Sequence, residues 1–282
     1  MIITTAEQLR NLTGSYYANN DFSKIENMVK GVEQDLCRTL NMPNFDNLQA
    51  DALLAAQQAV AYMATMRFYR LNDISHENAG RKVKIDKENE ARPFEWQLAR
   101  DDRAHLEEYY RALDRLVAAL LNDEQFQQSR LYQRTRQLIV GDADTLHYLT
   151  GVDPSPWLYI QLVPYLAETQ RFVEKCYGDK LPADMESAQK AVALGAVVLM
   201  GHRTQLQALP YGLMQLTMEN GGGNTEQPPT IEQLKCYLKQ LSADQRYWIE
   251  EMKLERDRAA GHEAAQHLQM PENDKHQKYM RV

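Results

Sequence analysis

The sequence has few of the residues that turn a chain. Glycine accounts for 13 of its 282 residues and proline for 10. Low contents of both argue against sandwiches and barrels, which need many tight turns. With 44% hydrophobic and 25% charged residues, the composition is that of a globular protein and not of a disordered one. We therefore expect a mainly α-helical fold with long helices.

Cysteines, long apolar runs and positive charge are scarce as well. Cys37, Cys176 and Cys236 are far apart without a CxxC spacing, so the sequence predicts reduced thiols and no zinc site or disulfide framework. The longest nearly apolar run, residues 191–201, is much shorter than the roughly 20 residues of a membrane span, and the first residues have no signal-peptide core. The net charge of −7 disfavours a protein that wraps nucleic acid over its whole surface, although a local basic patch is compatible with it.

The two halves of the sequence share several markers in one order. Residues 9–14, LRNLTG, recur as LHYLTG at residues 146–151, an offset of 137. The order continues with an aromatic residue that opens a long amphipathic segment and with an alanine-rich run: Phe22 and Trp157 at an offset of 135, then residues 56–61 and 188–193 at an offset of 132. Such self-similarity is typical of repeat architectures. The markers predict a tandem duplication, although helical sequences resemble one another and the LTG match alone would be weak.

Hydrophobic periodicity and capping residues predict similar elements in both halves. In the first half they are a short helix between Thr5 and Gly14, helices over 20–41 and from Asp46 to about residue 71, an extended segment over 81–86, and a helix over 93–121. In the second half they are a short helix over 142–149, helices over 157–177 and 182–207, an extended segment over 210–218, a turn over 219–224, and a helix from 231 to about 260. The sequence thus predicts two tandem helical-bundle repeats, each with a short extended or β arm between its third and fourth helices. We place the repeats at residues 1–128 and 129–260, followed by a polar tail over 261–282.

The motifs that resemble catalytic or ligand sites lack the spacing that such sites need. His262 and His267 resemble the HExxH pair, but five residues separate them, so the two imidazoles would not share one helix face. The glycines at 221–223 lack the lysine and the directly following helix of a phosphate loop. The sequence therefore predicts no catalytic residue, no cofactor and no metal ligand. His147 and His202, which have apolar neighbours, are predicted to be packed or hydrogen-bonded.

Two stretches combine arginine with aromatic residues. Residues 130–136 contain Arg130, Arg134, Arg136 and Tyr132, and residues 67–70 read RFYR. Either stretch fits contact with nucleic acid phosphates or with an acidic partner surface. The alternative is that the first is a linker helix and the second a helix end, where arginine complements the helix dipole.

The order of the elements resembles that of the helical head–tail connector proteins of tailed phages, which are also called head-completion or adaptor proteins. Residues 3–9, ITTAEQL, are similar to the short opening helix of that family. Residues 74–80 and 94–98 also resemble uncharacterised proteins of Bacteroides-type phages and prophages. Typical connectors carry one such unit, so the duplication is a departure from the family.

This resemblance implies a non-enzymatic virion structural protein, assembled in the host cytoplasm, that joins the portal protein to tail or stopper proteins. It also implies self-association into a ring, non-specific contact with DNA in a channel, and no membrane. The extended arms would add strands to their neighbours, and six residues on them are predicted to bind partners: Arg81, Val83, Ile85, Tyr211, Leu213 and Leu216. Two alternatives are a cytoplasmic helical-repeat adaptor that binds another protein without a virion role, and an enzyme whose site is assembled from scattered residues.

Overall fold

The fold is mainly α-helical, which confirms the predicted class. A computed structural model describes residues 1–14, 21–72, 75–77, 80–82, 95–203, 216–220, 223–227 and 230–260. The first half contains α1 (Ala6–Thr13), a 3-10 helix (Phe22–Lys24), α2 (Glu26–Leu40), α3 (Ala50–Asn72) and α4 (Glu95–Leu120). Two short helices follow, α5 (Glu124–Gln127) and α6 (Arg130–Thr135), and then α7 (Ala143–Thr150), α8 (Pro156–Tyr177), α9 (Glu186–Arg203) and α10 (Ile231–Ala259). Within these ranges, no helix combines the length and the hydrophobicity that crossing a membrane requires.

Two short antiparallel hairpins lie between long helices. The strands are β1 (Ser75–Glu77) with β2 (Gly80–Lys82), and β3 (Leu216–Asn220) with β4 (Gly223–Gln227), in two separate sheets. In the second hairpin Asn220 lies opposite Gly223, so the turn is shorter than the predicted one over 219–224. Most of the two predicted extended segments, 81–86 and 210–218, lies outside the described residues.

The start of α3 differs from the prediction, because Asp46 does not cap it. The helix begins at Ala50, and the Asp46 backbone N–H donates instead to Asn44 Oδ1 at 3.2 Å, which closes a local turn. Phe45, next to it, is fully buried. The chain therefore packs an aromatic ring into the core before the helix starts, a tertiary contact that the helical period does not reveal.

One hydrophobic core runs through both halves of the chain. In each half the core is centred on one helix with small, fully buried residues: Ala56, Ala59, Val60, Ala61 and Ala64 of α3, and Ala188, Ala191, Val192, Ala193 and Ala196 of α9. α3 packs against α1, α2 and α4, and α9 packs against α7, α8 and α10. Small side chains allow this close approach of helices. Of the apolar face predicted for α3, Leu54 is an exception, because it is 49% exposed.

A carboxylate of the first half anchors the start of α8. Asp114 Oδ1, on α4, accepts hydrogen bonds from the Ser155 hydroxyl at 2.6 Å and from the Trp157 backbone N–H at 3.0 Å. Ser155 in turn caps α8 by accepting from the Leu158 N–H. An acidic group stabilises the free N–H groups at a helix N-terminus. This cap joins α4 to α8.

Candidate partner-binding site

The six residues predicted to bind partners are only partly covered by the structure. Arg81 lies in β2 opposite His76, and Leu216 lies in β3 opposite Gln227. Their backbones therefore belong to two separate hairpins. The remaining four lie outside the described residues: Val83, Ile85, Tyr211 and Leu213. His262, His267 and the polar tail that carries them lie outside as well.

The basic stretch at residues 67–70 is already engaged with acidic neighbours. Arg70 Nε donates to Asp102 Oδ2 at 2.8 Å, and Arg67 Nη1 lies 3.6 Å from Asp35 Oδ2. Phe68, between them, is buried. These contacts fit a helix that packs on its neighbours, and they leave little free positive charge for a ligand.

The second basic stretch is on α6, where Arg130, Arg134 and Arg136 are exposed. Tyr132 is half-buried and packs edge-on against Phe126 with ring centroids 5.9 Å apart, so its ring packs against the hydrophobic core. The Arg130 N–H donates to Asn41 Oδ1 at 3.2 Å, which fixes the start of α6 against the end of α2. Ser129 caps α6 by accepting from the Tyr132 N–H. The arginines are thus held on a short, anchored helix.

An open cleft of about 880 Å³ lies beside α8. Its walls come from α6, from the segment that leads to α7, from α8 and from the loop that follows α8. The apolar lining is aliphatic and consists of Leu138, Ile139, Val163, Pro164, Ala167 and Leu181. The charged and amide side chains that line it are Arg134, Gln137, Glu168, Gln170, Arg171, Glu174 and Lys180.

An arginine from α9 neutralises one of the two carboxylates of this cleft, whereas three cations form no ion pair in the described structure. Glu168 accepts two hydrogen bonds from the Arg203 guanidinium, at 2.5 and 2.8 Å, and these bonds lower the pKa of Glu168. Glu174 accepts from Gln170 Nε2 at 3.2 Å. By contrast, among the residues that the structure describes, no ion pair engages Arg134, Arg171 or Lys180. The cleft therefore carries free positive charge above an aliphatic floor.

Glutamine side chains hold the wall formed by residues 137–139. Gln170 Oε1 accepts from the Ile139 N–H at 3.0 Å, while its Nε2 donates to the Gln137 carbonyl at 3.1 Å. Gln189 Nε2 donates to the Ile139 carbonyl at 3.4 Å. Both polar groups of the Ile139 backbone are thus satisfied by side chains. The wall is therefore fixed in place before any partner binds.

The sequence singled out Arg134, but it gave no signal for Arg171 or Lys180. Arg171 has Glu168 and Glu174 three residues away on either side, which is the pattern of an ordinary solvated helix face. Only the fold shows that Arg203 takes Glu168. Lys180 comes from a different element, the loop after α8, and no spacing in the sequence links it to α6.

Ionisable groups with a shifted pKa lie mainly in the core. Burial raises the pKa of Cys37 to about 11, and it raises the pKa of Tyr159, whose hydroxyl donates to the Val140 carbonyl at 2.8 Å. His147 pairs through Nδ1 with the Val152 carbonyl at 2.7 Å, as predicted, whereas His202 is exposed in the last turn of α9 and is not packed. Over the described ranges, no three His, Cys, Asp or Glu side chains are grouped so that they would hold a metal ion.

Comparisons with protein-family models, with curated proteins and with solved structures found no match for this chain.

Proposed function

We propose that this protein is a non-enzymatic connector, built from two copies of one helical unit, that joins other proteins through surfaces that differ between the units. The observation that carries the proposal is that the same local structure is built twice among the described residues, while key residues of the cationic cleft beside the second copy are not repeated at the matching positions of the first. Two similar units with different surfaces suit a protein that binds two different partners at a fixed separation.

The short helices α1 and α7 support the duplication. Gly14 and Gly151 end them with φ angles of 69° and 72°, and each donates its N–H to the carbonyl four residues earlier. The threonines before these glycines, Thr13 and Thr150, each donate a hydroxyl hydrogen bond to a leucine carbonyl four residues back. Every one of these pairs is separated by 137 residues.

The segments before α1 and α7 are held by matching side chains. Glu33 Oε2 accepts from the Ile2 N–H at 3.1 Å, as Gln170 does from Ile139. Gln57 Nε2 donates to the Ile2 carbonyl at 2.8 Å, as Gln189 does to Ile139. The offsets are 137 from Glu33 to Gln170 and 132 from Gln57 to Gln189. A long-range bonding pattern of this kind is hard to reproduce by chance between two unrelated helical bundles, and it supports duplication more strongly than the sequence markers.

These bonds also refine the correspondence of the two halves. The helix ends Asn41 and Gly178, both in the left-handed conformation, are again 137 residues apart. One offset therefore covers α2 and α8 without a gap. It pairs Phe22 with Tyr159, and not with Trp157 as the sequence markers suggested.

A stability experiment tests this correspondence. Thr65 and Thr169 are buried, and within the described structure their hydroxyls have no hydrogen-bond partner. The corresponding positions are Val197 and Val32, both buried. Since burying an unpaired hydroxyl costs about 1–3 kcal/mol, Thr65→Val and Thr169→Val are each expected to raise the free energy of unfolding by about 1 kcal/mol in urea titrations.

The reverse changes provide the matched control. Val197→Thr and Val32→Thr should each lower the free energy of unfolding by a similar amount. If valine at position 65 or 169 lowers stability, then those two positions do not have the environment of their counterparts and the alignment of the halves is wrong.

Within this proposal, the role we favour is that of a head–tail connector that binds the portal protein and tail components, as the order of elements suggests. Because α4 and α8 already pack against each other within one chain, self-association into a ring would need other surfaces. Leu158 and Ile160 of α8 are buried, whereas their counterparts in the first unit, Asp21 and Ser23, are exposed and polar. At these positions the first unit therefore does not repeat the apolar surface of α8. We assign the contacts between copies to the hairpin regions instead.

Replacing residues 78–87 by a glycine–serine linker of equal length tests the ring. We expect the helical circular dichroism to be unchanged, because α3 ends at Asn72 and α4 begins at Glu95. We expect the solution mass to fall from a multiple of 32.6 kDa to that of the monomer. Light scattering after size exclusion gives both masses. If the linker variant has the same oligomeric mass as the wild type, the hairpin does not mediate the contact. A wild-type chain that is monomeric at all concentrations contradicts the ring and favours an adaptor that does not self-associate.

That second candidate is a helical-repeat adaptor that binds another protein without a virion role. The observation that favours it is the cleft beside α8, because a single cationic groove with an aliphatic floor requires no self-association. The mass measurement separates the two candidates.

A further inference from the structure

We infer that the cleft beside α8 binds an acidic segment of a partner protein that also carries aliphatic side chains. This inference rests on the proposal that the protein binds other proteins, but it depends neither on a virion role nor on a ring. It adds the chemical class of the partner segment and the residues that select it.

The charge of the cleft selects an anion. Arg134, Arg171 and Lys180 come from three different elements and line one cavity. Arg203 neutralises Glu168, whereas the Gln170 amide only hydrogen-bonds Glu174, which keeps its charge. With Arg203 counted, four cations and two carboxylates leave a local excess of two positive charges in a chain whose net charge is −7. Such an excess attracts acidic groups and steers their approach.

The floor of the cleft selects a protein segment over a nucleic acid. Its apolar lining is aliphatic, without an aromatic ring, so it offers no platform on which bases would stack. The negative charge of the chain as a whole repels a long polyanion. Leucine or isoleucine side chains bury well against Val163, Pro164 and Ala167, and a volume near 880 Å³ holds a few of them.

The first unit lacks these features at the corresponding positions. Gln34 corresponds to Arg171 of the second unit. Likewise, Lys30 corresponds to Ala167, and Asn27 corresponds to Pro164. The cleft is thus an addition to the second unit and not a by-product of the shared fold.

Fluorescence anisotropy with the full-length chain tests the inference. The probe is a short fluorescein-labelled peptide in which pairs of glutamates alternate with single leucines. We expect saturable binding that weakens as salt is added, because exposed charge pairs are screened. Replacing the leucines of the peptide by serine is expected to weaken binding about tenfold, and replacing the glutamates by lysine is expected to abolish it.

Variants of the protein locate the site. The double variant Arg134→Glu with Arg171→Glu is expected to weaken binding of the glutamate–leucine peptide at least about tenfold. A matched control makes the same change of charge on α10, at the exposed residues Lys239 and Arg246, and should leave the affinity within about a factor of two. Ala167→Gln, which narrows the floor without adding charge, is expected to weaken the leucine peptide more than the serine peptide.

Three outcomes overturn the inference. The first is that the two double variants bind the peptide equally well, and the second is that the leucine and serine peptides bind equally well. The third is that the peptide does not bind, whereas an oligothymidine of matched length binds the wild-type chain but not the cleft variant. The last outcome would assign the cleft to nucleic acid. A chain that binds the peptide but remains monomeric retains this inference and loses the ring, so the failure of one proposal is distinguishable from the failure of the other.

Discussion

Replacing Val60 by aspartate is expected to unfold the protein. Val60 lies in the middle of α3 and is fully buried, with Ala56 and Ala64 one turn away on either side and equally buried. Val192, its counterpart in α9, is fully buried as well. A carboxylate at this depth has no water and no cationic partner, and leaving a buried charge uncompensated costs about 3–5 kcal/mol. Because the total stability of a folded protein is only about 5–15 kcal/mol, Val60→Asp should lower the thermal midpoint severely or prevent folding.

The matched control is Leu54→Asp, on the same helix. Leu54 is 49% exposed, so its carboxylate would stay hydrated, and we expect a change within about 0.5 kcal/mol. Thermal unfolding followed by circular dichroism compares the two. If Val60→Asp melts at the same temperature as Leu54→Asp, then α3 is not at the centre of the core.

Exchanging glycine for alanine is expected to have opposite effects in two helices. At Gly195, in α9, an added methyl group would overlap the side-chain amide of Gln245 and the methyl group of Thr169. The Gln245 amide can swing away, but Thr169 is buried on α8, so α8 and α9 would have to separate. Overpacking of this kind costs about 1–3 kcal/mol, which exceeds the gain of about 1 kcal/mol from the better helix former.

At Gly31, in α2, an added methyl group meets no atom within 4 Å. Gly31→Ala is therefore expected to raise the free energy of unfolding by about 0.5–1 kcal/mol, whereas Gly195→Ala should lower it by about 1 kcal/mol after the gain in helix propensity is subtracted. Urea titrations measure both. Combining Gly195→Ala with Thr169→Ser, which removes the overlapping methyl group, should recover part of the loss. No recovery would mean that α8 and α9 are not in close contact at this point.

Features that depend on neighbouring residues were predicted well from the sequence. Thr5 caps α1 as expected by accepting from the Gln8 N–H, and Gly14 ends it. α10 begins at Ile231, as predicted, and the structure adds a capping box at Thr230 that was not predicted. Each of these contacts spans no more than four residues, so the sequence around it contains all the groups that take part.

Features that depend on distant residues were not predicted. The buried position of Phe45 delays α3, and the positive charge of the cleft beside α8 depends on Arg203, which comes from α9 to neutralise Glu168. Periodicity reports which face of a helix is apolar, but not which cations on the other face are left without a partner. The LTG motif suggested a correspondence of the two halves, whereas the offset that we propose for it depends on hydrogen bonds between residues 31 and 55 positions apart.

The hydrogen bonds that Asp114 accepts bear on whether the two halves can fold independently. A tandem duplication can give two independent modules, each of which unfolds, diverges or is deleted without affecting the other. Here the first module supplies the carboxylate that starts a helix of the second, and a single core continues across the junction. The two halves are therefore expected to unfold together, so that a destabilising change in one half lowers the stability of the other.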